Sequence, residues 1–257
     1  MTDYAGEVLA GFEAHTEESL AATFDNALIV IACHGGVVKS RLKDLSVVAP
    51  GTPVVLMAHG SSGITSAIEA FGEHLARRGW ALVAPDSMAT AGRLAYTSPV
   101  DPAVYEKIHA MRLAELQHAA RRLQELTFFN GLYVVAGTSE GGVAAARFDS
   151  KKAPVPEAGR MIFSWSCEDN YFVERHGTAI DPERPVLNIM SAEDKYFGAS
   201  SDYQTNPAAL GHAARTFAGM SQAAVVLLPG APHTLFHLPA ALDAVDAFLA
   251  RVLERAA

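Results

Sequence analysis

The sequence has only two cysteines and no long hydrophobic run. Cys33 and Cys167 lie far apart and lack the C-x-x-C or Cys/His spacing of a disulfide or zinc site. The longest apolar run near the start, residues 27–33, is far shorter than the roughly 20 residues that cross a bilayer. We therefore expect reduced cysteines, no zinc site and no association with a membrane.

Positive charge is also scarce. The chain has 20 lysines and arginines against 28 aspartates and glutamates, a net charge of −8. Nucleic-acid binding relies on clustered basic side chains. The adjacent pairs Arg77-Arg78 and Arg121-Arg122 lie in predicted helices, where such charges usually form the face exposed to solvent. No nucleic-acid partner is expected. The N-terminal residues lack the basic and apolar regions of a secretory signal, so the expected location is cytoplasmic.

The composition is that of a folded globular protein, with 50% hydrophobic and 19% charged residues. Chains of 257 residues with alternating strands and helices commonly form one domain. No repeat, linker or low-complexity tract interrupts the pattern. We expect a single domain spanning residues 1–257.

Short runs rich in Val, Ile and Leu alternate with stretches of helical period. This alternation predicts an α/β protein with a doubly wound, mostly parallel sheet. The predicted strands are residues 27–33, 53–58, 80–85, 132–137, 160–165, 185–190 and 223–229. Each is a nearly continuous apolar run, which is typical of parallel strands buried on both faces.

Helical periodicity is clear in three stretches. They run from Ile64 to Leu75, from Ala103 to Leu126 and from Leu238 to Val252. Asp101-Pro102 marks the start of the second stretch. The spacing of apolar residues in that stretch departs from the helical period near Met111. The segments 87–100 and 166–184 lack a period and are candidates for pocket walls. Their alternative interpretation, as surface connections without a role, stays open.

One segment has the pattern of a catalytic nucleophile. Gly137-Thr138-Ser139-Glu140-Gly141 follows a predicted strand and precedes a helical stretch, the context that the G-x-S-x-G elbow requires. Small residues are needed because the turn is too tight for side chains on either side of the serine. The helix N-terminus adds amides and a dipole that favour negative charge. Ser139 is the predicted nucleophile.

A serine hydroxyl needs a general base, and histidine is the usual one near neutral pH. His233 is favoured among ten histidines because it lies between the last predicted strand and the last helix. The chain order Ser, acid, His of elbow folds places the base there. A metal pair of His233 with His237 has the right spacing but no third ligand. The chemistry requires no metal and no organic cofactor.

The acid that orients the histidine must lie between Ser139 and His233 in the chain. Asp194 is favoured because it follows a predicted strand, and its position three residues after Ser191 resembles the G-x-x-D turn of elbow folds. The adjacent Glu193 is interpreted as a solvated loop charge. Two further alternatives, Glu168 and Asp169, follow the preceding strand.

The tetrahedral intermediate needs two hydrogen-bond donors. One is predicted to be the backbone amide of Glu140, and the other the amide of Ser61 in the HGSSG run at 59–63. A second His-Gly-Gly run begins at His34. It is not favoured, because the residues after it read as a strand and turn rather than a helix.

The motifs HGSSG at 59–63, GTSEGG at 137–142, SAED at 191–194 and LPGAPH at 228–233 occur in this order. With them the sequence resembles the α/β-hydrolase superfamily, and it looks most like the dienelactone hydrolase-like group. The resemblance implies a carboxylesterase-like serine hydrolase that cleaves an ester or related acyl bond through an acyl-enzyme. Dienelactone hydrolases proper carry a cysteine nucleophile, so Ser139 favours an esterase. The short segment after residue 165 implies that no large cap is present.

Other functions remain open at this point. The same groups could catalyse acyl transfer to an alcohol or amine, or a lyase reaction. A non-catalytic binding protein with the same fold is a third alternative, because fold alone does not prove chemistry. The expected partner is a small-molecule acyl substrate, and the sequence leaves a homodimer open.

Overall fold

The computed structural model describes residues 5–46 and 51–256. Its strands and helices alternate along most of the chain. The strands are β1 (Val8–Leu9), β2 (Leu28–Cys33), β3 (Gly36–Arg41), β4 (Thr52–Ala58), β5 (Ala81–Ala84), β6 (Ala95–Tyr96), β7 (Phe129–Thr138), β8 (Gly159–Phe163), β9 (Val186–Ser191) and β10 (Ala223–Leu228). The helices are α1 (Glu17–Asp25), α2 (Ser66–Ala76), α3 (Pro102–Arg122), α4 (Glu140–Arg147) and α5 (Pro239–Ala256).

Eight of these strands form one sheet in the order β10-β9-β8-β7-β4-β5-β2-β3. The strands from β10 to β5 are parallel, and β2 runs antiparallel to both β5 and β3. The seven predicted strands are all present, although β7 begins at Phe129 rather than at residue 132. The prediction of a mostly parallel sheet is confirmed.

Helices cover both faces of the sheet. α2 and α5 bury their apolar residues with one set of strand side chains, including Val55, Met57 and Leu187. α1, α3 and α4 pack with the opposite set, including Val54 and Leu56. Successive strand side chains point to opposite faces, so continuous apolar strands serve both layers. The doubly wound arrangement is therefore confirmed.

α3 begins where the sequence predicts. The Asp101 side chain accepts a 2.8 Å hydrogen bond from the Ala103 amide, and Pro102 occupies the first turn. The cap satisfies an amide that would otherwise lack a partner, and proline fits because its position needs no donor. The regular helix ends at Arg122, and a 3₁₀ turn covers Leu123–Glu125.

Some elements were not predicted. α1 has a capping box between Thr16 and Ser19, but it buries only Leu20, Thr23 and Phe24. So short an apolar face, with one polar member, leaves little periodicity in the sequence. β1 and β6 are two residues each, which is too short to show an alternating pattern.

The His-Gly-Gly run at His34 forms the tight connection between β2 and the antiparallel β3. A strand follows it, as predicted, and no helix. Because β2 and β3 are antiparallel, this run does not lie at the carboxyl end of a parallel strand, where the loop after β4 lies. The predicted strand-and-turn stretch extends to residues 47–50, which lie outside the described residues.

Two long connections, residues 164–185 after β8 and 192–222 after β9, contain turns but no helix. The absence of a large cap is therefore confirmed for the segment after β8. Among the helices of the described ranges, none combines the length and apolar character needed to span a bilayer.

We predict that Gly72→Ala destabilises the protein. A Cβ atom at this position of α2 would lie 2.6 Å from Val30 Cγ2 and 2.8 Å from Leu82 Cδ2. The overlap should outweigh the helix propensity gained and lower the free energy of unfolding by about 1–2 kcal/mol. Urea denaturation measures the change.

Ala70, exposed on the same helix, gives the propensity reference. Ala70→Gly should cost roughly 1 kcal/mol through propensity alone. If Gly72→Ala instead raised the free energy of unfolding by a similar amount, the close packing of α2 on the sheet would be wrong.

Candidate active site

Ser139 lies at a sharp turn between β7 and α4. Its backbone has φ 55° and ψ −120°, a conformation that non-glycine residues rarely adopt and that costs about 1–3 kcal/mol. The residues two positions before and two positions after the serine must be glycines. A Cβ atom at Gly137 would lie 2.0 Å from the Gly141 carbonyl oxygen, and one at Gly141 would lie 2.1 Å from the Ala58 oxygen. The turn therefore holds the serine at the end of the strand, as the elbow pattern predicts.

The predicted site residues all follow the carboxyl ends of parallel strands. Ser61 comes after β4, Ser139 after β7, Asp194 after β9 and His233 after β10. In open α/β sheets the ligand site lies at this edge. The topology thus brings segments that are far apart in sequence to one place.

Ser139 and His233 line the same cavity, which has a volume of about 400 Å³. Its walls combine aromatic and aliphatic side chains with polar ones. The predicted wall segments contribute Tyr96, Ser98 and Phe172. Lys195, Tyr196 and Phe197 come from the connection after β9, which the sequence did not indicate.

Asp194 orients the imidazole of His233. Its Oδ2 atom lies 2.8 Å from His233 Nδ1, and its side chain is fully buried. The other oxygen accepts hydrogen bonds from the amides of Tyr196 and Phe197 at 2.9 and 3.0 Å. Burial opposes ionisation, but these bonds and that of His233 outweigh it and hold the pKa of Asp194 below its usual value. The carboxylate is a fixed acceptor.

The alternative acids lie elsewhere. Glu193 is exposed and accepts from the Gly230 amide at 3.1 Å. Glu168 is buried but accepts from the amides of Leu210 and Gly211. Asp169 accepts from the backbone and ring of His176. Of the four candidates, the structure brings only Asp194 to His233.

The two residues predicted to supply the oxyanion donors lie beside the serine. Ser61 and Glu140 line the cavity with Ser139, and neither backbone amide donates a hydrogen bond within residues 5–46 and 51–256. The loop carrying Ser61 runs close to the elbow, since a Cβ atom at Gly60 would lie 3.5 Å from Ser139 Cβ. The positions of the two residues are compatible with the predicted role, because an oxyanion hole needs amide donors beside the serine.

Solved structures with similar folds include several hydrolases. Est1E from Butyrivibrio proteoclasticus, with ferulic acid bound, has a TM-score of 0.58 and 16% identity, over 89% of this chain and 95% of that one. TT1662 from Thermus thermophilus has a TM-score of 0.57 and 19% identity, over 80% and 90%. A Klebsiella pneumoniae protein assigned as a dienelactone hydrolase has a TM-score of 0.53 and 14% identity, over 97% and 99%. The chain has the α/β-hydrolase fold.

The resemblance to dienelactone hydrolase-like proteins is thereby confirmed at the level of the fold. No protein-family model and no curated protein matches the chain. At such low identity the similarity establishes the α/β-hydrolase fold alone, because one fold hosts many chemistries.

His59, which precedes the loop that carries Ser61, is fully buried. Its Nδ1–H donates to the Gly60 carbonyl oxygen at 2.6 Å, and its Nε2 accepts from the Ser87 amide at 3.1 Å. Burial and the neighbouring Arg112 guanidinium lower its pKa to about 3. The ring is therefore neutral near pH 7 and serves as a rigid brace for the loop.

A buried polar cluster under the site escaped the sequence analysis. Arg112 and Glu115 on α3 are 1% and 2% exposed and pair at 2.6 Å. Tyr96 donates to Glu140 at 2.6 Å, and burial together with the Glu140 carboxylate raises its pKa, so it keeps its proton. The slack in the apolar phase near Met111 was the one sequence signal of this cluster. Nowhere in the described residues do three metal-binding side chains come together.

We predict that His59 makes the protein acid-sensitive. The pKa of His59 is about 3 in the folded state and 6.5 when free. Between these pH values the unfolded state binds a proton at His59 and the folded state does not. The contribution is complete above pH 6.5 and is lost as the pH falls toward 3, with a slope of up to about 1.4 kcal/mol per pH unit. Urea denaturation between pH 7 and pH 4 measures it.

His59→Gln should lower the free energy of unfolding at pH 7 and flatten its fall with acid by about one proton. Some slope should remain, since burial also lowers the pKa values of His109 and His118. An unchanged slope in the variant would show that His59 is not the neutral brace described above.

Proposed function

We propose that the protein is a serine hydrolase that cleaves an ester through an acyl-enzyme. One observation carries the proposal. The strained Ser139 shares a cavity with His233, whose Nδ1 atom is bonded to the fully buried Asp194 carboxylate. A nucleophile, a base and a group that orients the base form the arrangement that activates a serine hydroxyl.

In the first step Ser139 Oγ attacks the ester carbonyl carbon while His233 Nε2 takes its proton. Asp194 holds the Nδ1–H tautomer and stabilises the imidazolium that forms. The carbonyl oxygen becomes negatively charged and accepts hydrogen bonds from the amides of Ser61 and Glu140. The imidazolium then protonates the leaving alcohol.

In the second step water attacks the acyl-enzyme and the same groups act again. His233 removes a proton from the water, and the resulting tetrahedral intermediate expels Ser139, which recovers its proton. The products are a carboxylic acid and the free enzyme. No step uses a metal or an organic cofactor.

The size and lining of the cavity support one class of substrate. A volume of about 400 Å³ is at the small end of ligand pockets, and aromatic rings form much of its wall. Tyr196 and Phe197 lie 4.7 and 5.6 Å from the His233 ring. Est1E, a structural neighbour, binds ferulic acid, an aromatic acid. These points support compact esters, with short or aromatic acyl groups, as substrates.

We predict that Ser139→Ala and His233→Ala each lower kcat by several orders of magnitude. Loss of either residue should lower kcat by a similar factor, because the serine hydroxyl is a weak nucleophile without its base. Steady-state hydrolysis of a soluble ester measures the loss, and circular dichroism checks the fold. Substantial esterase activity in the Ser139→Ala protein would contradict the mechanism.

Asp194 and Glu193 give a matched comparison between adjacent carboxylates. Asp194→Asn should misplace the imidazole tautomer and lower kcat by about 10⁴-fold, the size of the effect in a serine protease. Glu193→Gln changes an exposed side chain and should leave kcat within about twofold of wild type. The reverse ranking would transfer the orienting role to Glu193.

Acyl selectivity should reflect the cavity. In a series of ethyl esters, we predict that kcat/KM is highest for short acyl chains and falls steeply for chains that exceed the 400 Å³ volume. No large cap covers the site to enclose a long chain. Highest activity on long-chain, lipid-like esters would be incompatible with this pocket.

A further inference from the structure

A buried arginine lies beneath the proposed oxyanion hole. Arg112 is 1% exposed and projects from α3 between the loop after β4 and the elbow. A buried cation is retained only where charges and hydrogen bonds compensate its desolvation. Its partners therefore indicate what it does.

The first set of contacts goes to the oxyanion loop. Arg112 Nη2 donates to the His59 carbonyl oxygen at 2.6 Å, and Nη1 lies 3.3 Å from His59 Nε2. His59 stands two residues before Ser61, whose amide is one proposed donor. The planar guanidinium thus fixes the backbone from which that amide projects.

The second contact goes to the elbow. Arg112 Nε lies 3.4 Å from Glu140 Oε1, a distance at which charge attraction rather than a strong hydrogen bond acts. Glu140 carries the other proposed donor amide, and its side chain is only 5% exposed. An unneutralised carboxylate there would oppose a developing oxyanion, because charges interact strongly where water is excluded.

The arginine is itself held in place. Glu115 pairs with Nη1 at 2.6 Å and accepts hydrogen bonds from Ser87 and His15 at 2.7 and 2.9 Å. Burial alone would raise the pKa of Glu115, but Arg112 and these bonds hold it at about 2. The guanidinium therefore has a fixed counter-charge that does not titrate near neutral pH.

We propose that Arg112 is a positioning residue for the oxyanion hole. It ties the loop of Ser61 to the elbow of Glu140, so that both amides aim at one point, and it neutralises the Glu140 carboxylate beside that point. This inference rests on the proposed function. Arg112 does not line the cavity, so it acts through the two donors rather than on the substrate.

The role has a kinetic signature. Donors aimed at an oxyanion stabilise the transition state more than the bound ester, so their disorder should lower kcat and leave KM nearly unchanged. A trifluoromethyl ketone reports the same property. Ser139 Oγ adds to its carbonyl carbon, the hydroxyl proton passes to His233, and the carbonyl oxygen becomes the oxyanion. Its inhibition constant should therefore follow kcat/KM.

The test compares Arg112→Met with Arg160→Met. Arg160 is also fully buried, pairs with Glu157 three residues away, and does not line the cavity. Both changes remove the arginine partner of a buried glutamate and should destabilise the fold. Arg112→Met should lower kcat by about 10–100-fold, somewhat less than the loss of a whole oxyanion donor. Its KM should stay within about threefold of wild type.

The ketone should lose affinity for Arg112→Met by a factor similar to the loss of kcat/KM, whereas Arg160→Met should keep both within about threefold. If Arg112→Met does not fold, Arg112→Lys supplies the test, since it keeps the charge but not the planar fork. A smaller loss of the same pattern is then expected.

Glu140→Gln separates the two parts of the role, because it removes the charge and keeps the donor amide. Combined with Arg112→Met, it should recover part of the lost kcat. Wild-type kcat and ketone affinity in folded Arg112→Met, or losses no larger than in Arg160→Met, would overturn the inference alone. A wild-type protein that neither turns over esters nor binds the ketone would overturn the proposed function as well.

Discussion

The site depends on one strained turn. Ser139 occupies a backbone conformation that side chains disfavour, and the chain passes through it only because glycines precede and follow the serine. Gly137 and Gly141 leave no space for a Cβ atom, since carbonyl oxygens lie about 2 Å from where each would stand. The strain is offset by a parallel sheet that fixes β7 on both sides. The same turn brings Ser139 and Glu140 to the wall of the cavity.

The rest of the site is assembled around this turn from loops that share one sheet edge. His233 and Asp194 come from the connections after β10 and β9, and Ser61 comes from the loop after β4. Loops are less rigid than strands, so each needs its own support. Asp194 accepts hydrogen bonds from two backbone amides, and both ring nitrogens of His59 form hydrogen bonds with the backbone. Arg112 connects the loop after β4 to the elbow.

Much of the fold was predictable because parallel strands buried on both faces are continuous apolar runs. β4, β8 and β9 have every strand residue buried or nearly so, and their positions are plain in the sequence. The elbow was predictable for a different reason: its tight turn demands glycines at fixed spacing. Periodicity failed for α1, whose buried face is only three residues.

The buried cluster on α3 could not be predicted. Arg112 and Glu115 are charged residues, and a helical pattern assigns such residues to solvent. Their burial depends on partners from the loop after β4, from α4 and from the N-terminal region, which only the tertiary fold brings together. The cavity wall had the same limitation, since Tyr196 and Phe197 follow Asp194 without any period.

The central claim is that Ser139 is an activated nucleophile. Reaction with a fluorophosphonate probe, followed by mass spectrometry of the digested protein, tests it most directly, because the phosphorus atom bonds to a serine only where a base removes the hydroxyl proton. An activated Ser139 should give one adduct, on the peptide that contains Ser139, and no adduct in Ser139→Ala. A folded wild-type protein that forms no adduct, or an adduct on another serine that persists in Ser139→Ala, would contradict the account.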